Sequence, residues 1–237
     1  MVRHPYNSRQ EQSCLFSYGI NNDMKNLKSI NEFWGAVIRR DMSSAVREEE
    51  KFHTKEELRE YLKKEIEKQG KNVVIKNLDV SGIEDLSGLF KGLLDGVETI
   101  DLSGWKTDGA KTMSYMFSHA FPEEINLSGW KIDNVRHMMS MFYCCSRLKS
   151  LDLSGWDTRN VEDMNWMLFS CTNLQSLDLS GWDTGKVRDM SFMFYDCEKL
   201  KYLDLSGWNT SRVNDMRDMF RNCPAPYKVV DNKIVRI

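Results

Sequence analysis

No run of apolar residues in this chain approaches the roughly 18 or more that a helix needs to cross a bilayer. The opening residues, Met1 to Arg9, carry some positive charge, but no apolar stretch follows them, so no secretory signal is expected. That absence predicts a cytoplasmic protein, with surface display or secretion by some other route as the alternative. Charge of one sign is also lacking. A net charge of −2 over 237 residues gives no electrostatic footprint for nucleic acid. The four histidines, His4, His53, His119 and His137, fall at no metal-ligand spacing. There is no P-loop, no glycine-rich dinucleotide turn and no nucleophile elbow. No cofactor is expected. Catalysis is expected only as a remote alternative, with its activity in the N-terminal 50 residues.

What is present is a repeat. Leu151-Asp152-Leu153-Ser154-Gly155-Trp156-Asp157-Thr158 returns almost unchanged at Leu177–Thr184 and Leu203–Thr210, and in looser form at Ile100–Thr107 and Ile125–Ile132. Five tryptophans, Trp105, Trp130, Trp156, Trp182 and Trp208, are spaced by 25, 26, 26 and 26 residues. A period of this size marks a solenoid whose units bury their apolar faces against their neighbours. The fold class predicted is an α/β repeat, with parallel strands on one face and short helices on the other.

Each repeat divides in two. In the first half the pattern L-x-x-L-x-L puts Leu151 and Leu153 on one side of a short strand and Asp152 on the other. The second half, Val161, Met164, Met167, Leu168 and Cys171, has spacing that predicts a short helix, with Asp163, Asp189 and Asp215 as N-caps of successive copies. Cys145, Cys171, Cys197 and Cys223 recur at one offset. Stacked side chains pointing the same way read as free buried thiols in a reducing compartment, although a disulfide is within reach by rung spacing.

Ahead of the array, 1–22 reads as an irregular segment and 23–71 as a helical N-terminal cap. Met24, Leu27, Ile30, Phe33, Trp34, Val37 and Ile38 form one apolar stripe, a packing face or else a membrane-surface or partner helix. A second helix starts with the capping box Thr54-x-x-Glu57 and ends at Gly70. The repeats fill 72–223. The first is expected to be shortened, because Asp79-Val80-Ser81-Gly82 runs straight into Ile83 with no counterpart of the five residues after Gly155. Residues 224–237 read as a terminal strand or hairpin.

Leu-Asp-Leu-Ser-Gly-Trp-Asp-Thr, followed by Val-x-Asp-Met-x-x-Met-Phe and a cysteine, resembles the BspA-like bacterial surface-protein leucine-rich repeats. These are the roughly 26-residue mycoplasma type of unknown function, and the resemblance covers about residues 52–223. It implies a leucine-rich-repeat solenoid, frequent surface display, adhesion or protein binding, and no catalytic residues.

The recurrent serines of Leu-Ser-Gly-Trp lack a periodic base, so turn chemistry accounts for them better than nucleophilic attack. The strand aspartates are the sharper case. Asp101, Asp152, Asp178 and Asp204, with Asp79 assigned to the same column, form an acidic line on the strand face. Such a line suits a basic partner or a cation, or else each carboxylate bonds local backbone and serine donors. The outward neighbours Ser150, Ser176 and Tyr202 vary as a partner-facing surface would. The expected function is a non-enzymatic protein-binding module, monomeric, using this face. A surface adhesin or structural protein is the alternative.

Overall fold

The computed structural model describes residues 51–230 and 233–237. The elements run α1 (Lys55–Gln69), β1 (Asn72–Val74), β2 (Thr99–Asp101), β3 (Glu124–Asn126), β4 (Ser176–Asp178), β5 (Tyr202–Asp204), β6 (Tyr227–Val230) and β7 (Lys233–Arg236). The irregular segment expected over 1–22 and the helix expected from Met24 to Ile38 lie outside the described residues.

α1 begins as its sequence dictates. Thr54 is extended, and its Oγ1 accepts from the Glu57 N–H at 3.2 Å. The Glu57 carboxylate reaches back one residue further than a capping box requires, to the His53 N–H at 3.3 Å. At the far end Gly70 takes φ 73°, and its N–H closes on Ile66 O at 2.9 Å. Leu58, Leu62 and Ile66 form the buried face.

The repeat strands β1 to β5 are three residues long, with only the middle residue buried. Pairing is parallel between consecutive repeats: Ile100 lies opposite Val73 and Ile125, and Leu177 opposite Leu203. Behind them stand the tryptophans, whose polar edge is satisfied in a regular way. The indole N–H groups of Trp105, Trp130, Trp182 and Trp208 donate to the carbonyls of Ile75, Leu102, Leu153 and Leu179, each in the preceding repeat.

The second halves are not helices, and α1 is the only α-helix among the described residues. Each is a run of tight turns closed by i→i+3 bonds, such as Met167 N–H to Met164 O and Cys171 N–H to Leu168 O at 3.2 Å. Trp166 and Ser170 sit at φ 58° and 55°, which an α-helix cannot contain. The alternate N–H groups leave the turn altogether: Met164, Trp166, Leu168 and Ser170 donate to the carbonyls of Asp189, Ser191, Met193 and Tyr195 in the next repeat. This turn ladder continues through parallel bridges from Asp85 to Thr112, His137, Asp163, Asp189 and Asp215. The expected N-cap aspartates are therefore turn residues. Asp163 Oδ1, for example, accepts the Asn165 N–H at 3.0 Å.

The first repeat is not shortened. Asn72 pairs with Thr99, and Val74 with Asp101, so Val74 holds the aspartate position. Asp79 instead bridges Lys106, which removes it from the acidic column. Asn77 stands where Gly104 stands in the next repeat, with φ 59° against 75°, and Leu78 stands for Trp105. The Asp-x-Ser-Gly string was a local coincidence; the register is set by hydrogen bonds.

Both ends of the array carry added structure. At the N-terminal end, Lys55 Nζ donates to Ser87 O at 3.2 Å, and the Arg59 guanidinium donates to Leu89 O and, at 2.5 Å, to Lys91 O. At the other end β6 and β7 form an antiparallel hairpin, as expected. Tyr227 Oη accepts the Leu205 N–H at 3.4 Å, where Leu179 in the repeat before donates to Asp204 O. The thiols of Cys145, Cys171 and Cys197 are free and buried, and each donates to a carbonyl of the preceding repeat.

Candidate strand-face site

The strand ladder has one interruption. Between β3 and β4 the copy Leu151-Asp152-Leu153 forms no named strand, and Ser150 makes only an isolated bridge to Glu124. Three further signs fall at the same place. Leu127 and Leu153 lack the N–H bonds to the next repeat that Leu102 and Leu179 make, at 2.9 and 3.1 Å. Trp156 has no carbonyl of the preceding repeat on its indole N–H, unlike the other four array tryptophans. A Cβ added to Gly155 would meet nothing within 4 Å, whereas at Gly207 it would lie 2.2 Å from Ser180 O. The turn ladder runs on unbroken beneath, so the opening is confined to the strand face.

Clefts flank this opening. The larger, of about 550 Å³, is lined by Asp152, Asp178, Asp204, Ser176 and Tyr202, and is walled by Pro226 and Arg236 of the C-terminal hairpin. The smaller, of about 410 Å³, holds Asn126, Ser150, Asp152 and Ser176. The structure thus brings together six of the seven residues expected on this face. Asp101 stands apart. It lies opposite Asn126 in the other parallel sheet, and Lys76 pairs with it at 2.7 Å.

The three clustered aspartates are wired alike. Asp152 Oδ1 accepts the Ser154 N–H at 3.0 Å and hydroxyl at 2.7 Å, and Asp178 Oδ1 accepts the same pair from Ser180. Asp204 Oδ1 accepts the Ser206 N–H at 2.9 Å. These bonds hold the Asp152 carboxyl below the usual carboxylate range, chiefly through the Ser154 hydroxyl, and Asp178 likewise, chiefly through the Ser180 N–H. The local wiring expected of the column is present at one oxygen of each carboxylate. One oxygen of each carboxylate serves the turn, and Oδ2 has no protein partner among the described residues. Asp178 and Asp204 are direct neighbours across β4 and β5. Such a row offers acceptors only, to ammonium or guanidinium groups. Beside it Tyr202 is 74% exposed. Among the described residues no three His, Cys, Asp or Glu side chains group as metal ligands.

A second surface escaped sequence reasoning. On the turn side the rings of Tyr143, Phe169 and Tyr195 stack at 5.0 and 4.7 Å, and Trp166 stacks on Phe192 at 4.2 Å. Tyr143, Phe169 and Tyr195 recur one residue after the core Phe142, Leu168 and Phe194, a periodicity that was present to be read. The helix expectation followed only the inward positions, such as Met164, Met167, Leu168 and Cys171, and gave the residues between them no role.

No helix among the described residues is long and apolar enough to cross a membrane. No curated protein and no solved structure matches the chain. A family model does, over residues 40–175 and again over 146–232, which together take in every repeat described above. The chain belongs to the family described as Mycoplasma protein of unknown function, DUF285.

Proposed function

We propose that this protein is a non-enzymatic protein-binding module, a leucine-rich-repeat solenoid of the BspA-like kind that takes a basic segment of its partner on the strand face. The observation that carries this reading is the row Asp152, Asp178 and Asp204. Each keeps one oxygen unpartnered, and all three line one cleft beside an exposed tyrosine. The parallel register of successive repeats supports the solenoid, with turns in place of the helices usual on its convex side. A partner lysine or arginine would neutralise a carboxylate whose other oxygen is already held in place. That arrangement limits the ordering cost of binding. The interruption at Leu151–Leu153 adds unpaired backbone groups to the floor of the same region.

The test is titration of a fluorescent arginine- and lysine-rich decapeptide against the protein and against a D152N/D178N/D204N variant. Asparagine keeps the Oδ1 acceptor that each turn uses, so the variant retains its fold, as circular dichroism will show. Affinity is expected to fall by tenfold or more; equal affinity moves the site off this face.

A further inference from the structure

The turn ladder is directional. At alternate residues within each turn segment the inter-repeat bonds run from an N–H to a carbonyl of the following repeat, as in Met190, Phe192, Phe194 and Asp196 donating to Asp215, Arg217, Met219 and Arg221 at 2.9 to 3.0 Å; only at the bridge that enters each segment does a bond run back, as from the Asn214 N–H to Arg188 O at 2.8 Å. A ladder built this way has unlike ends. Its first repeat presents carbonyls and its last presents N–H groups. The carbonyl end is closed, since Ser87, Leu89 and Lys91 are taken by Lys55 and Arg59, two cations four residues apart on one helix. At the donor end the equivalent groups are the N–H of Met216, Asp218, Phe220 and Asn222, and none has an acceptor among the described residues. The hairpin that follows closes the strand ladder through Tyr227 and leaves this one open.

We infer that the donor edge Met216–Asn222 is a docking site for an acidic partner helix, whose carboxylates, about four residues apart, take the place of the missing carbonyls. Three observations argue for that occupant. From Met216 to Asn222 the edge carries donors only, so a strand, which brings donors and acceptors alternately, is half mismatched. Asp218 and Asn222 have φ 50° and 55°, matching Phe192 and Asp196 at 57° and 54°, so the backbone that aims those interior N–H groups at carbonyls aims these the same way. The charged side chains alongside leave that field uncancelled: Arg217 pairs with Asp215, Arg221 lies 3.9 Å from Asp218, and all four are at least partly exposed. A second copy of the chain cannot serve end to end, because its carbonyl edge is already occupied by its own α1. The opposite edge shows the geometry in mirror chemistry, with side-chain charges one helical turn apart spanning alternate backbone groups.

The experiment follows backbone amides by hydrogen exchange and by NMR shift in the full chain. The probe is an alanine-rich helical peptide carrying two glutamates four residues apart, with the glutamine version as control. The amides of Asp218, Phe220 and Asn222 are expected to exchange at least tenfold faster than those of Phe192, Phe194 and Asp196. The glutamate peptide is expected to slow and shift them, and the glutamine peptide to leave them unchanged. Protection of these amides in the free protein overturns the open edge. Equal response to both peptides, or shifts mapping to another surface, overturns the acidic partner.

Discussion

The Arg59 guanidinium lies 2.5 Å from the carbonyl oxygen of Lys91 and also bonds that of Leu89, so one side chain closes two positions of the turn ladder. In the interior those positions are filled by backbone N–H groups of a preceding repeat. Arg59→Met should therefore cost about 1.5–3 kcal/mol, the range for hydrogen bonds to a charged group. Arg59→Lys should recover only part of this, because an ammonium cannot fork across both oxygens. Urea midpoints at constant m-value will measure both.

The motif glycine behaves differently from one repeat to the next. Gly207→Ala forces a Cβ to within 2.2 Å of Ser180 O and should destabilise by about 1–3 kcal/mol. Gly155→Ala, the same substitution in the same motif, meets open space and should cost under about 0.5 kcal/mol. Thermal melts of the pair read the interruption of the strand ladder directly. Equal penalties would mean the ladder is closed there in solution.

Trp182 is 1% exposed, stacks between Trp156 and Trp208 at 6.4 and 6.3 Å, and donates to Leu153 O. Trp182→Ala should cost about 3–5 kcal/mol. Trp208, half-buried at the end of the row, should cost less when truncated. Denaturation of both variants in urea ranks them.

Acid should unfold the protein progressively. Asp79, Asp152, Asp157 and Asp215 are held below the usual carboxylate range, chiefly by the side chains of Ser81, Ser154, Arg159 and Arg217. Their contribution is complete above the ordinary value of about 4 and is lost as pH falls through the lower folded values. Asp163 runs the other way. Burial pushes its carboxyl up, with Asp189 adding to the effect, so its ionisation opposes folding at neutral pH. Asp163→Asn retains an acceptor for the Asn165 N–H and should stabilise the protein at pH 7. The gain should vanish near pH 3, where the wild-type carboxyl is neutral in both states. Melting temperatures across that interval test the sign.

Much of this was legible in the chain because it recurs. The inward Leu177 and Leu203, the tryptophan row and the buried thiols each follow from one local rule applied at a fixed period, and the Thr54 cap from a single local motif. The second halves were not legible, because stacked four-residue turns put apolar side chains at i, i+3, i+6 and i+7 just as a helix does. Only φ distinguishes the two, and Trp166 and Phe192 are residues for which a left-handed φ is not expected. The first repeat misled for a different reason. Asp79-Val80-Ser81-Gly82 carries the motif's letters at the wrong register, while Val74 and Asn77 hold the true positions without them. Of the site, the acidic row was legible and its interruption was not. Leu151-Asp152-Leu153 is among the most regular copies, and nothing in its side chains accounts for the missing pairing.

The two closures have a bearing on how such chains change length. Arg59 and Lys55 bond only to the first repeat's turns, and Tyr227 bonds the last repeat's strand and stacks on its Phe220, so neither fitting senses how many units stand between. A duplication or deletion of one whole 26-residue unit within the array would leave both terminal fittings intact and the turn ladder continuous. The length of the strand face and the number of acidic rungs on it would then change together, in steps of one repeat, with a single genetic event.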